Sequence, residues 1–429
     1  MSLPADHAQR FLLANEVHAR PNEALNAPDR LSYVVVLVDA EAKAREHAHV
    51  AALCERYGAL PPPLDAIHFS ADLGVFRLRW QRHTEFSSYT FMKTGASERP
   101  FAAPVSQLVP PEWLGGIPGR TIVAAHADLI PRAAGIPNAS EIGAAFEGNY
   151  VIGADIGDGV ASAFTDFRVH SDGFGRFLIY DRGMSRFQSG RMLQRLFELE
   201  TYRMMALLAL PVARELSPRL SRMERELADV TAAMSREEAD DPTLLDRVTQ
   251  LAAEAESAVA ATQFRFGAAR AYHALVKSRI EELRERRLAG TQTIHEFMAR
   301  RLAPAMATCE SVAARQVDFS ERVARASRLL STRVDIVREK QNQALLASMN
   351  RRARLQLRLQ QTVEGLSIAA ITYYGVGLAG YLLKGASAGG ARLNADLLTG
   401  IAVPVVAVLA ALGVRLARRS LAGRQETVD

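Results

Sequence analysis

The run Gly365–Leu383, GLSIAAITYYGVGLAGYLL, contains no Asp, Glu, Lys, Arg or His. As a helix rising ~1.5 Å per residue it covers roughly 28 Å, close to the ~30 Å hydrocarbon core of a bilayer. A second run without charge, Leu397–Val414 (LLTGIAVPVVAVLAALGV), follows after a connector of thirteen residues. Two such runs in succession are either a buried helical hairpin in a soluble core or a hairpin that crosses a membrane twice. The flanks favour the membrane. Arg351, Arg352, Arg354 and Arg358 precede the first run, and Arg415, Arg418, Arg419 and Arg424 follow the second, where anionic lipid headgroups would meet them. The connector holds only Lys384, Arg392 and Asp396. The positive-inside rule therefore puts both tails in the cytoplasm and the hairpin tip outside.

The net charge of +5 raises nucleic acid as a partner, but no aromatic residues interleave with the clustered arginines as base-stacking platforms require, so no nucleic-acid partner is expected. Residues 1–30 show no basic segment leading into an apolar core and a small-residue cleavage site, which leaves the large N-terminal part expected in the cytoplasm. The two cysteines, Cys54 and Cys309, form neither a disulfide framework nor a CxxC clamp. They read as buried small residues of a reducing compartment.

The expected fold class is α+β: a mixed α/β head (1–185), a long coiled-coil-like helical stalk (186–364), a transmembrane hairpin (365–416, spans 365–383 and 397–414) and a basic tail (417–429). In the head, LSYVVVLVD (Leu31–Asp39) reads as a buried strand, and the helix Glu41–Gly58 follows it. VFRLRW (Val75–Trp80) and TEFSSYTFM (Thr84–Met92) lie within hairpin distance. FTDFRVH and FGRFLIYDRG flank Ser171-Asp172-Gly173, a second hairpin signal. Beyond Gln188 helical spacing takes over, with breaks expected near Pro211 and Pro218. Phe319, Val323, Ala326, Leu330, Val334, Val337, Ala344 and Ser348 approximate a seven-residue seam, interrupted by Gln341, through which the stalk is expected to form a homo-oligomer. Nothing between Pro304 and Gly365 stops a helix.

Gly375-Val376-Gly377-Leu378-Ala379-Gly380 matches GxGxxG, but inside an apolar run it reads as helix packing, with Gly375 and Ala379 as a small-xxx-small pair. Gly385-Ala386-Ser387-Ala388-Gly389 fits GxSxG at a hairpin tip, a connector and not a nucleophile elbow. In extended backbone Glu16 and His18, and His83 and Glu85, project to one side, the arrangement of a two-ligand metal arm or an acid/base pair. The competing reading is a hydrogen-bonded network beside a turn. His47 and His49 lie on a helix at a spacing that points them apart. There is no P-loop, no HExxH and no paired-cysteine site, so neither cofactor nor enzymatic activity is expected. A hydrolase built on the His/Glu residues is the remaining enzymatic reading.

NEVHARP, WQRHTEF, LFELETYRMMALLALPVA and RLQLRLQQTVEGLSIAAITYYGVGLAGYL, in this order along nearly the whole chain, resemble the bacterial family of membrane-anchored proteins known as domain of unknown function 3422. The resemblance implies the hairpin anchor and supplies no catalytic residues; with the cytoplasmic tails it makes a bacterial inner-membrane protein the expectation. The layout is also similar to CorA-type divalent-cation channels, which implies a first span lining an oligomeric pore. Ser367, Thr372, Tyr373 and Tyr374 would then face the ion. The Gly-Met-Asn signature that ends the first span of those channels is replaced here by Tyr381-Leu382-Leu383-Lys384.

Overall fold

The computed structural model describes residues 4, 6–16, 22–131, 139–236, 240–388 and 394–425. The chain divides into two compact units, one through Ser327 and one from Arg328 onward.

The first unit opens with α1 (Arg10–Glu16), β1 (Asp29–Leu37) and α2 (Ala40–Arg56). Asp39 caps α2 by accepting from the amide of Ala42, which relieves one unpaired donor of the first turn. β2 (His68–Asp72), β3 (Arg77–Arg82) and β4 (Phe86–Thr94) form a meander, and α3 (Pro111–Gly115) leads into β5 (Arg120–Pro131). After α4 (Ala139–Ala145) come β6 (Ile152–Ile156), β7 (Ala161–Thr165) and β8 (Gly175–Asp181). All are joined in one sheet of order β2-β3-β4-β1-β5-β8-β7-β6-β9, with the short β9 (Arg286–Arg287) at its edge. Among the described strands only β5 and β8 pair in parallel.

Both expected hairpins form. The second differs in detail: β7 ends at Thr165 and Asp166–His170 leaves the ladder before the turn. Gly173, at φ 84°, closes that turn in a conformation glycine adopts without steric cost.

One sheet face is covered by helices α5 (Arg186–Leu207), α6 (Ala209–Met234), α7 (Asp241–Leu283) and the start of α8 (Ile294–Ala388). Leu31, Tyr33, Val35, Ala127 and Ile179 of the sheet share one apolar cluster with Leu196, Phe197, Phe266, Met298 and Met306 of these helices. Each large side chain buried this way contributes ~1.5–3 kcal/mol, so packing is continuous across residues 185 and 186. Gly190 allows the closest approach. A Cβ there would stand 1.7 Å from the carbonyl oxygen of Glu23. Pro211 lies in the first turn of α6, just after the break at Leu208, whereas Pro218 sits inside the helix without ending it.

The seam expected to join copies of the chain is partly used within one copy. Phe319, Val323, Ala326 and Leu330 are buried, and Arg315 ties α8 to Glu224 of α6 at 2.7 Å. Val337 and Ala344 are exposed. A seven-residue stripe says that one face of a helix is covered, not which chain covers it.

In the second unit, α8 continues to Ala388 and α9 (Ala395–Gln425) returns beside it. A Cβ on Gly375 would come within 2.8 Å of Val406, and one on Gly380 within 3.6 Å of Thr399. The two helices are therefore antiparallel neighbours, in contact where residues are small.

Candidate membrane helices and a polar cleft

The sheet face away from the helices carries two separate apolar clusters. One surrounds Trp80, Tyr89, Phe91 and Trp113 under α2. The other surrounds Phe146, Phe164, Leu178 and Tyr180. Between them the central strands turn polar side chains to the same face, because the register sets Arg30 of β1 opposite Asp128 of β5, Ser32 opposite His126, and His126 opposite Arg176 of β8. Ser32, His126 and Asp128 are buried.

His126 is fixed on all sides. Its Nδ1 lies 2.9 Å from Ser32 Oγ, which accepts from the amide of Ser106, and the ring stacks on Phe174 at 4.0 Å. Ser32 Oγ and Nδ1 share one proton, and the other ring nitrogen, Nε2, lies 3.7 Å from Asp172. Burial pushes the imidazole down to about 4; Asp172 opposes the shift and Arg176 adds to it. Ser32, His126 and Asp172 repeat the residue types of a serine hydrolase, but Ser32 is 0% exposed and offers no oxygen to a substrate.

Asp128 accepts from the amide of Phe101 at 2.8 Å, and burial raises its carboxyl above the usual range. Arg30 donates to the carbonyls of Gly95 and Ala103, which fastens the intervening loop. Arg176 donates to Ala145 O and to Glu147 Oε1, both at 2.8 Å, and lies over the Phe101 ring. Glu147 in turn stands 3.3 Å from His170 Nδ1, whose Nε2 is 2.9 Å from the buried Asp166. The His170 contact, then Arg176, hold the Glu147 carboxyl below its usual range. Phe101 and Glu147 both take positive φ, 64° and 57°, an unfavourable conformation for such residues that the surrounding contacts maintain. At the end of this polar row opens a cavity of about 910 Å³ lined by Arg30, Phe101, Asp128, Glu141, Arg176 and Tyr180 among others.

The histidines and acids singled out from sequence fall elsewhere. Glu16 closes helix α1 and is not in extended backbone; His18 lies outside the described residues. His83 stacks on Phe86 at 4.3 Å. Glu85 accepts from Arg265 at 2.7 Å and from Tyr272 at 3.0 Å, and so links the β3–β4 turn to α7. His47 and His49 bond the carbonyls of Pro62 and Trp113. Among the described residues no group of three or more His, Cys, Asp or Glu could hold a metal ion. Cys54 and Cys309 are free and buried.

Among the described residues two helices are long and apolar enough to cross a membrane: α8 and, over Asp396–Leu416, α9. The apolar window of α8 is 0% buried by the protein and that of α9 is 6% buried. Gly375 and Ala379 are half-buried, and Arg351, Arg352, Arg354, Arg358 and Arg415 are exposed. Arg418 and Arg419 lie within α9, their side chains outside the described residues. Ser367 and Thr372 donate to the carbonyls of Val363 and Ile368 in their own helix, while Tyr373 and Tyr374 point outward and are exposed.

The family model described as protein of unknown function (DUF3422) matches residues 5–421. The chain belongs to the DUF3422 family. No curated protein and no solved structure matches it, so the similarity of layout to CorA-type channels has no support from known proteins. The DUF3422 match runs through the sheet, the helices packed on it and both apolar helices. Two of the segments that carry the DUF3422 resemblance meet in space: Gln81, His83 and Phe86 from WQRHTEF, and Phe197, Glu198, Thr201 and Tyr202 from LFELETYR, line one void of about 50 Å³ between sheet and α5. There Tyr33 bonds Thr201 at 3.1 Å and Arg79 donates to Gln194 at 3.1 Å, a buried polar junction that holds helix to sheet. Sequence reasoning missed the row Ser32, His126, Asp128 and Arg176. Its only local signal was the alternation of His126 and Asp128 within the apolar strand IVAAHADLIP.

Proposed function

We propose that this DUF3422 protein is anchored in a bacterial inner membrane by residues 365–383 and 397–414, with both chain ends in the cytoplasm, and serves without catalysis as an oligomeric scaffold or sensor. One observation carries the reading: the apolar windows of α8 and α9 are covered by almost nothing in the chain. A core helix of a soluble protein would be buried. Here Leu366 is 75% exposed, Leu382 71% and Leu409 62%. Leaving roughly ten such side chains in water costs on the order of 10 kcal/mol or more, which lipid removes. The exposed arginines before the first window fit an anionic headgroup layer, each worth about 1 kcal/mol near such a surface.

Since both native thiols are buried, single introduced cysteines can report topology. Lys384→Cys should react with an impermeant maleimide added outside intact spheroplasts, whereas Arg358→Cys should react only after lysis, and the protein should stay with membranes through a carbonate wash. Recovery in the soluble fraction without detergent, or equal labelling of the two positions, would overturn the anchor.

A further inference from the structure

We propose that the cleft at the ends of β1, β5 and β8 binds a small organic cation, a diamine or polyamine in chemical class, with Asp128 as its principal anchor. The proposal does not depend on the membrane reading, because the cleft is built wholly from the first unit.

The charges around the cavity point to a cation. Its lining holds five acidic side chains and three arginines, and two of those arginines are committed elsewhere. Arg30 gives Nε and Nη1 to backbone carbonyls. Arg176 gives Nη1 to a carbonyl and Nη2 to Glu147. Both are placed to shape the walls, and of Arg176 only the buried Nε has no partner among the described residues. The two buried acids, Asp128 and Asp29, keep acceptor capacity. Asp128, only 5% exposed, accepts from one amide through Oδ2, with Arg30 across the strand pair offsetting part of its charge. Asp29 also lines the cavity, is 3% exposed, and its Oδ1 has no hydrogen-bond partner among the described residues. Glu98 stands exposed on the rim. A buried carboxylate with spare lone pairs gains most from a charge-assisted donor.

Size and surface select the class. About 910 Å³ is far more than a bare ion fills and falls in the range of small-molecule pockets. Among the described residues no group of three or more His, Cys, Asp or Glu could hold a metal ion. Phe101 and Tyr180 on the walls supply apolar surface for methylene groups, so a chain of methylenes between ammonium groups matches the cleft in both respects.

The test is isothermal titration of the full-length chain in detergent with putrescine and spermidine, with citrate as an anionic probe of similar size. At least one amine is expected to bind saturably, with citrate silent. Asp128→Asn, which keeps the acceptor for Phe101, should weaken binding about tenfold or more. Ala144→Phe, which adds bulk at an exposed position of the lining, should weaken it comparably without touching a charge. Glu256→Gln, exposed on α7, should change nothing. Near-UV circular dichroism equal to the unaltered chain separates lost binding from lost fold, and if Asp128→Asn does not fold, Ala144→Phe decides. No saturable binding of either amine at millimolar concentration, preferential binding of citrate, or amine binding unchanged in Ala144→Phe overturns the proposal.

Discussion

His126 is kept neutral by a surrounding that gives a proton no room. Its pKa in the fold, pushed down to about 4 by burial, lies below the ~6.5 of a free imidazole. Between those values the unfolded chain takes a proton that the folded chain refuses, so the stability His126 allows is complete above about pH 6.5 and is lost as pH falls toward 4. The full difference is ~3 kcal/mol. His49 and His273 are lowered by burial in the same direction, which is why a single replacement is informative. Denaturant midpoints at pH 7 and pH 4.5 should differ less in His126→Gln than in the unaltered chain, although the variant is less stable at pH 7 for want of the Phe174 stack. An unchanged difference would place the acid sensitivity in another residue.

At the scale of elements, α8 changes character along its length. To Leu330 it buries one apolar stripe that includes Met298, Leu302, Met306, Phe319, Val323 and Leu330, with Val317 and Leu329 outside it; beyond, Leu345 is 60% exposed, and Met349, Leu355 and Leu359 are exposed as well. A helical stretch with uncovered apolar side chains at such spacing is the natural place for copies to associate. Leu345→Cys should cross-link into dimers or higher species in native membranes, with Phe319→Cys, buried within the chain, as the silent control. Exclusively monomeric Leu345→Cys would remove self-association from the functional reading. The contrast also shows what sequence can and cannot give. Strands β1, β3, β4, β7 and β8 and the two hairpins of the head were legible because period-two patterning and turn residues are local, whereas β2, β5 and β6 were not read. The partner of the Phe319–Leu330 stripe was not, since periodicity marks a face without naming its cover. The polar row was illegible for a related reason: Ser32 and His126 lie 94 residues apart, and only the strand register reveals that they touch. Of the His/Glu pairs marked by their spacing, Glu85 is held by Arg265 and His83 stacks on Phe86.

At the scale of the whole molecule, the unit through Ser327 contains the sheet, its helical cover and the cleft, whereas both apolar windows lie beyond it. A fragment of residues 1–330, which retains the buried Leu330, should therefore be soluble without detergent and melt cooperatively, with mixed helix and strand by circular dichroism. Aggregation of that fragment under conditions where the full chain is stable in detergent would mean that the head depends on residues from the second unit. That two helices are long and apolar enough to cross a membrane was readable from length and absence of charge alone, because the bilayer imposes its thickness on any chain that crosses it. No comparable external ruler exists for a ligand cleft.

The division of the sheet's open face into two oily patches separated by ionic and hydrogen-bonded side chains has a mechanical outcome. Prying the patches apart along that line lets water reach groups that already prefer it, and neither patch loses its own contacts. Breathing motions of the head should thus concentrate there, giving a guest a way in that leaves the rest of the fold shut.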